Sequence, residues 1–509
     1  MGVVEVDPSA SGRPGVGDKG LKKDALGFVS SCVIGVASTA PGYSLAASLG
    51  FVVAVTGVGL QAPAILLLAF VPMLLIASAY YYMNRADPDC GTTFSWVTRA
   101  MGPSWGWLGG WAIVVADVIV MANLAQIAGL YSFLLFGWDS AAASTAAVTA
   151  VGVVWIAVMT AICVIGIELS ARTQVGLLGA EILTLALFAV VALVKVATGD
   201  AGPDSVDPSL SWINPFEINS FDALVEGVLI AVFIYWGWDS TVTVNEESRD
   251  ATEGPGKAAL LATVILLAIY VIVAYAAQAY GGVQQLIDNQ EDVLSVLGTE
   301  VFGSPLDKIL IIAVLTSAAA STQTTILPTA RTSLSMARAG AMPESLGRVH
   351  PRFLTPHVST ILMGVLSIVW YVGLTIVSEN ILFDSIAALG LMIAFYYGLT
   401  GFACTIYYRG ELTQSLKSFL LIGVGPFLGG LMLLAIFIKS CVDYADPANS
   451  ESGDSWFGLG PPLVIGLGFL ILGAILMLLW RIEHKDFFKR TPETFGMARA
   501  GPTVTEDDV

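Results

Sequence analysis

The sequence predicts an all-α membrane protein of twelve transmembrane helices, built as a five-plus-five inverted repeat with two extra C-terminal helices. Of its 509 residues, 56% are hydrophobic and 12% are charged, whereas soluble proteins carry about 25% charged residues. The apolar residues form long continuous runs, which exclude a β-barrel because barrel strands alternate apolar and polar positions. Two of these runs, one in each half of the chain, are interrupted by Gly, Pro and polar residues, which indicates paired broken helices.

The apolar runs number twelve, and each approaches or exceeds the ~20 residues that a membrane crossing requires. They lie at 26–50, 56–82, 105–136, 145–166, 174–197, 223–245, 258–281, 307–337, 357–378, 381–407, 416–440 and 459–481. We therefore predict a disordered tail (1–22), a transmembrane domain (23–482) and a C-terminal tail (483–509). Within the domain, the first repeat covers about 26–197, the second about 223–407, and the extra helices about 416–481.

The basic residues predict the orientation of the chain. Of the 23 lysines and arginines, all but Lys195, Lys308 and Lys439 fall on the side of the two termini, so both termini are predicted to be cytoplasmic, in the plasma (inner) membrane. The net charge of −17 excludes nucleic acid as a partner, since no basic domain stands apart. Acidic residues gather in the outer loops, where they form either an electrostatic funnel for a cationic substrate or simply solvated loops.

The two interruptions predict the place of a binding site. Span one contains Pro41 and Gly42, and span six contains Gly237 and Asp239, roughly 200 residues further on. Either interruption alone would be read as a packing kink, but the same offset also relates the two longest spans, three and eight. Five spans in each repeat place the halves upside down relative to each other, which is typical of secondary transporters with a midplane site at the breaks.

The chemistry of the breaks suits a zwitterion such as an amino acid. Backbone amides at Thr39 to Gly42 would donate to an anionic group, and carbonyls around Ile34 to Val36 and Phe233 to Trp236 would accept from an ammonium group. The neighbouring aromatic rings would enclose the substrate, gate its path or merely pack. The predicted substrate contacts are Ile34, Gly35, Ser38, Thr39, Ala40, Pro41, Gly42, Phe233, Tyr235, Trp236, Gly237 and Trp238.

Three carboxylates inside the spans are candidates for proton coupling or cation contact, because a buried carboxylate is costly unless it is protonated or paired. They are Glu181 in span five, Asp117 in span three and Asp239 in span six. Glu181 is the first choice for proton coupling, and a packing hydrogen bond is its alternative. Asp239 precedes the second half of span six, where a helix N-cap is the competing role. Glu226 lies near the outer boundary and is expected to be solvated.

Two further groups carry candidate roles. Ser321 and Thr322 belong to a hydroxyl-rich stretch of span eight, which would line a sodium site or mediate helix packing. Glu246 and Glu247, with Arg249 beside them and Arg331 across the fold, predict a cytoplasmic salt-bridge gate or a solvated surface. No cofactor or metal is predicted, because the five cysteines match no metal-binding spacing. The phosphate-binding loop of an ATP-driven pump is also missing from the sequence.

Several motifs resemble the amino acid, polyamine and organocation permeases over roughly residues 20 to 485. These motifs are the aromatic-Gly-aromatic-Asp run at 233–239 with the Glu pair at 246–247, the stretch at 335–343 with 349–352 and 355–356, and the run at 88–96 with 102–103 and 109–111. The resemblance implies a LeuT-like fold, alternating access, and amino acids or amines as substrates. By the same resemblance, Glu181 lies where some relatives carry a lysine. In span one, the sequence from Ser38 to Gly42 replaces the Gly-rich break of many members and is similar to the Thr-Pro form of some polyamine and amino acid permeases.

The sequence therefore predicts a secondary active transporter that imports amino acids by alternating access. The predicted coupling ion is the proton, with sodium as the alternative, and the only other partners expected are the small-molecule substrate and membrane lipid. An exchanger of polyamines or amino acids is the first alternative function. A substrate-sensing receptor without net transport is the second, and no oligomeric state is predicted.

Overall fold

The computed structural model describes residues 19–218, 220–290, 293–304, 306, 308–377, 381–450 and 452–491, and this part of the chain is all-helical with no β-strand. The helices are α1 (Phe28–Ser38), α2 (Pro41–Ala54), α3 (Ala62–Ala86), α4 (Thr93–Met101), α5 (Pro103–Phe136), α6 (Asp139–Ala142), α7 (Thr145–Ile165), α8 (Ile167–Thr198), α9 (Phe221–Phe233), α10 (Ser240–Thr243), α11 (Gly254–Asp288), α12 (Val293–Phe302), α13 (Lys308–Arg338), α14 (His357–Val377), α15 (Ile381–Tyr407), α16 (Leu416–Ser418), α17 (Gly425–Asp443), α18 (Pro461–Glu483) and α19 (Lys485–Phe488).

Within the described residues, 11 helical segments are long and apolar enough to cross a membrane. The predicted sixth span is not among them, because it is divided into α9, of 13 residues, and α10, of four. Neither piece reaches the ~20 residues of a continuous crossing. The all-helical membrane fold is confirmed, and the count of twelve crossings stays a prediction.

Two long helices, one from each predicted repeat, form the centre of the bundle. The third helix of each predicted repeat is α5, with 34 residues, and α13, with 31. At 1.5 Å rise per residue these helices are about 51 and 46 Å long, so they must tilt in a hydrocarbon core of ~30 Å. They pack against each other along much of their length, and this pair carries Asp117, Ser317, Ser321 and Thr329 into the interior of the bundle.

Part of the predicted N-terminal tail of residues 1–22 is buried in the structure. Residues 1–18 lie outside the described residues, but Lys19 and Leu21 are buried. Leu21 packs with Cys90 and Leu334, and the ammonium group of Lys19 pairs with buried carboxylates. Lys19 and Leu21 therefore belong to the packed part of the chain, and the partners of the Lys19 charge are ones that a sequence pattern does not reveal. The predicted C-terminal tail is described only as far as residue 491.

Candidate functional site

The break in span one lies between α1 and α2. Helix α1 ends at Ser38, Ala40 adopts a left-handed conformation (φ 48°, ψ 62°), and Pro41 begins α2. The site of the break follows from local chemistry, since proline has no amide hydrogen to donate and is well suited to the first position of a helix. The predicted interruption at 39–42 is present.

The two breaks contact each other. Gly237 has a φ of +117°, and a Cβ atom at this position would lie 2.8 Å from the carbonyl oxygen of Ser38. The hydroxyls of Ser38 and Ser240 are hydrogen-bonded at 2.7 Å. On the preceding turn, a Cβ atom on Gly35 would lie 2.4 Å from the Thr241 side chain. Glycine is therefore required at both positions for the interrupted helices to approach so closely.

The amino end of α2, where the sequence predicts donors for a substrate anion, is occupied by protein groups. Pro41 has no amide hydrogen, and the Ser44 amide donates to the Ala40 carbonyl at 2.7 Å. The Gly42 amide donates to Oε1 of Glu181 at 2.7 Å, and the Tyr43 amide donates to the Ser317 hydroxyl at 3.1 Å. The first turn of α2 is thus satisfied by a carboxylate from α8 and a hydroxyl from α13.

Carbonyl groups freed at the breaks also accept hydrogen bonds from side chains. The Ser321 hydroxyl donates to the Ser38 carbonyl at 2.8 Å, and Tyr270 donates to the Ile234 carbonyl. The Thr39 hydroxyl donates to the Val36 carbonyl within α1 at 2.6 Å. Thr322 bonds to the Ala318 carbonyl of its own helix at 2.7 Å. In this arrangement Ser321 joins two helices and Thr322 stabilises one, which is the packing role that the sequence left open beside a sodium site.

Asp239 lies in the second break and faces two tyrosines of α15. Its carboxylate accepts hydrogen bonds from Tyr397 at 2.8 Å and from Tyr396 at 3.4 Å. Asp239 precedes α10, but its side chain makes no capping hydrogen bond. The Trp238 ring stacks on Tyr397 with ring centroids 5.2 Å apart, and the Trp236 indole donates to the Tyr396 hydroxyl at 2.5 Å. A buried carboxylate is thus enclosed by aromatic rings.

Of the remaining predicted aromatic residues, Tyr235 packs in the interior and Phe233 lines a cavity. Tyr235 is buried and donates to the Leu66 carbonyl of α3 at 3.0 Å, so it holds α3 against the break. Phe233 lines a cavity of about 600 Å³ that opens between α2, α9, α15 and α17. Glu226, Asp443 and Ser48 also line this cavity, and Glu226 is exposed, as expected.

Asp117 is the second carboxylate near the break in span six. It is buried on α5, accepts a hydrogen bond from Thr329 of α13, and lies close enough to Asp239 for their negative charges to repel. Glu181 is also fully buried, and no described residue donates a hydrogen bond to its Oε2 atom. In the described part of the chain, the buried basic residues are Lys19 and Arg331, and neither pairs with these three carboxylates. The paired breaks therefore concentrate negative charge without a basic counter-ion.

The predicted cytoplasmic face carries a buried network of ion pairs. Arg331 donates to Glu247 at 2.5 Å, and the ammonium group of Lys19 lies 2.5 Å from Glu246 and 3.0 Å from Asp89. Arg249 is exposed, and its guanidinium group donates to the Asp24 carbonyl at 3.4 Å. The two glutamates of the predicted gate are therefore paired with Arg331 and Lys19 instead of Arg249.

The electrostatics of this network favour a charged Asp89. Burial opposes ionisation, but the Lys19 ammonium group and donors from Gly91, Ser95 and Ser335 outweigh it, so the pKa of Asp89 lies below its usual value. Three potential metal-ligating atoms, from Asp89, Cys90 and Glu246, lie within 4.8 Å of one another. Since Lys19 already pairs with both carboxylates, the lysine supplies the positive charge that these acids require.

Several residues of the site escaped sequence reasoning. Ser317 is the partner of the Tyr43 amide, Thr329 is the partner of Asp117, and Tyr396 and Tyr397 are the partners of Asp239. Lys19 completes the network on the predicted cytoplasmic face. The hydroxyl-rich stretch of span eight indicated polar contacts in general. No sequence pattern identified the tyrosine pair, because its role follows from a contact between α15 and a distant break.

Comparison with known proteins identifies the family. Residues 26–478 match the family model described as amino acid permease. An uncharacterised transporter of Mycobacterium tuberculosis is 30% identical over 350 residues, which cover 67% of this chain and 71% of that protein. The serine/threonine exchanger SteT of Bacillus subtilis is 25% identical, with 67% and 75% covered. The low-affinity putrescine importer PlaP of Escherichia coli is 21% identical, with 73% and 79% covered. The chain therefore belongs to the amino acid permease family of membrane transporters, which confirms the resemblance drawn from its motifs.

Proposed function

We propose that this protein is a proton-coupled importer of small amine-bearing molecules, amino acids or amines, across the plasma membrane. The observation that carries the proposal is the set of three buried carboxylates, Glu181, Asp117 and Asp239, gathered at the paired breaks without a basic partner among the described residues. Carboxylates buried at membrane depth require protons or a cation to offset their desolvation. A protonated amine and a coupling proton meet that requirement.

Alternating access is supported by the contrast between the two sides of the breaks. On one side a cavity of about 600 Å³ reaches Phe233. On the other side the ion pairs Arg331–Glu247 and Lys19–Glu246 join three separate segments of the chain. Opening the second side requires these pairs to separate, so they would act as the predicted cytoplasmic gate while the site is reached from outside.

Exchange of one substrate for another is the second candidate. The relatives include both an exchanger of serine and threonine and an importer of putrescine, so the family resemblance alone favours neither mode. The unpaired carboxylates suit exchange as well, because a departing cation can be replaced by an arriving one. The two modes differ in the driving force that each requires.

Uptake into proteoliposomes separates the two modes. Purified protein is reconstituted, and uptake of labelled serine, ornithine and putrescine is measured under a proton gradient, under a sodium gradient, and with unlabelled substrate inside. The proposal predicts uptake that an inward proton gradient accelerates at least about tenfold. Uptake that responds only to internal substrate would refute proton coupling in favour of exchange, and uptake that responds only to sodium would reassign the ion.

A matched pair of variants tests the coupling role of Glu181. Glu181→Gln removes the titratable group and keeps the size of the side chain, so uptake should lose its dependence on the proton gradient. Glu168→Gln makes the same change on the same helix at an exposed residue that pairs with Lys22, and gradient-driven uptake should persist. If the Glu181 variant retains full gradient dependence, another carboxylate carries the proton.

A further inference from the structure

The first turn of α2 is the part of the site suited to a carboxylate. The amino end of a helix carries a positive partial charge, and its first amides have no partner within the helix. Helix α2 has 14 residues and begins inside the helix bundle at the buried Pro41. Proline supplies no donor, and the Ser44 amide is bonded within the turn. The amides of Gly42 and Tyr43 are therefore the two donors that this end can offer.

Both donors are already bonded to side-chain oxygens of the protein. The Gly42 amide donates to Glu181 at 2.7 Å and the Tyr43 amide to Ser317 at 3.1 Å. Oε1 of Glu181 lies directly against this turn, since a Cβ atom at Gly42 would be 3.4 Å from it, an ordinary contact distance. A carboxylate from α8 thus sits at the helix end that would otherwise receive the carboxylate of an amino acid.

The second oxygen of Glu181 indicates that the carboxylate is more than a helix cap. Glu181 is fully buried, and Oε2 has no hydrogen-bond partner among the described residues. An unpaired buried oxygen of this kind is costly and retains the capacity to bind a proton or an ammonium group. A purely structural cap would be served by a serine or threonine hydroxyl, as at Tyr43, without this cost.

The other polar groups near the breaks favour cations. Asp239 is enclosed by the rings of Trp238 and Tyr397, and Asp117 lies near it. Carboxylates beside aromatic faces are suited to alkylammonium groups, which combine ion pairing with cation–π attraction. With Glu181 at the end of α2, the site presents negative groups on both sides. The amides of the helix end are already bonded, and the free N–H beside Asp239 in the described part of the chain is the neutral indole of Trp238.

From this arrangement we infer that Glu181 is a built-in carboxylate that determines specificity. It occupies the position of a substrate carboxylate and makes the site select small alkylamines or diamines over the corresponding amino acids. The inference rests on the proposed transport function and refines its substrate class. An amino acid could bind at the amino end of α2 only by displacing Glu181, against both the bond to Gly42 and the repulsion between two carboxylates.

Putrescine and ornithine form a suitable pair of probes, because ornithine is putrescine with one carboxylate added. Binding and uptake of both are compared in wild-type protein and in Glu181→Ala, Glu181→Gln and the control Thr184→Ala. Thr184 lies on the same helix, and its described hydrogen bonds reach only carbonyls of that helix. Wild type and the Thr184 variant should prefer putrescine at least about tenfold. The alanine variant should shift the preference toward ornithine by about tenfold or more, since one helix end becomes free.

The glutamine variant keeps the test informative if the alanine variant misfolds. It also separates the role of Glu181 in substrate selection from its role in proton coupling. Its amide oxygen can still accept from Gly42, so it should keep the preference for putrescine while losing the proton dependence of uptake. Preference for ornithine in wild type, or an unchanged preference in a folded alanine variant, would overturn the inference and leave the transport function intact. Absence of uptake of every amine and amino acid tested would overturn the transport function itself, and the inference with it.

Discussion

Replacing Gly237 by alanine should separate the two broken helices or destabilise the protein. The added Cβ atom would lie 2.8 Å from the Ser38 carbonyl oxygen and 2.9 Å from its carbon, at a φ of +117°. A side chain at such a φ costs about 1–3 kcal/mol, and overpacking adds about 1–3 kcal/mol. The expected cost is therefore about 2–6 kcal/mol. It would lower either the free energy of unfolding of the whole protein or the population of the conformation in which the two breaks are in contact.

The assay combines thermal melting of the purified protein, followed by tryptophan fluorescence, with uptake into proteoliposomes. Gly176→Ala is the control, because Gly176 lies inside α8 and a Cβ atom there meets nothing within 4 Å. Removing a glycine from a helix interior stabilises it by roughly 0.5–1 kcal/mol, so this variant should melt no lower than wild type. If Gly237→Ala melts and transports like wild type, then the close contact at Ser38 does not define the site.

Three further perturbations test the charge networks. Arg331→Gln leaves the buried Glu247 without its ion-pair partner and should lower the free energy of unfolding by about 3–5 kcal/mol. Adding Glu247→Gln should restore most of the lost melting temperature. A double variant that melts no higher than the single variant would contradict the pairing. Tyr397→Phe removes the hydroxyl that donates a hydrogen bond to Asp239, so substrate affinity should fall about tenfold or more in a binding assay. Unchanged affinity would count against a role for Asp239 in substrate binding. The pKa of Asp89 is lower in the folded protein than in the unfolded chain, so its ionised carboxylate stabilises the fold. This contribution is complete above the unfolded pKa of ~3.9 and is lost as pH falls through the folded value. The melting temperature of wild type should therefore fall between pH 6 and 3, and that of Asp89→Asn should fall less.

The sequence allowed the interruptions to be predicted because their causes are local. Pro41 lacks an amide hydrogen and Gly237 tolerates a positive φ, so each marks the end of a helix without reference to the rest of the chain. The equal spacing of features in the two halves then indicated that the breaks belong to one site. The structure brings Ser38 and Gly237 into direct contact, which is the arrangement that an inverted repeat implies.

The partners of the charged residues could not be predicted, because they depend on packing between distant helices. Tyr397 is separated from Asp239 by 158 residues, and Ser317 from Tyr43 by 274. Lys19 belongs to a segment rich in glycine and charge, which is typical of disorder, and yet it is buried between two carboxylates. Periodicity identifies which charges lie inside the membrane, but not which groups neutralise them.

Neutralisation connects substrate choice to ion coupling. When Glu181, Asp117 and Asp239 all remain charged, the breaks carry three negative charges that no basic residue in the described part of the chain balances. Crossing the membrane interior with that charge is costly, so substrate and protons together must supply the balance. A diamine supplies two positive charges and leaves one for a proton, whereas a zwitterionic amino acid supplies no net charge and needs more protons. If this reasoning holds, the proton-to-substrate ratio should fall as the substrate's charge rises, and a ratio independent of substrate charge would assign coupling to a single carboxylate.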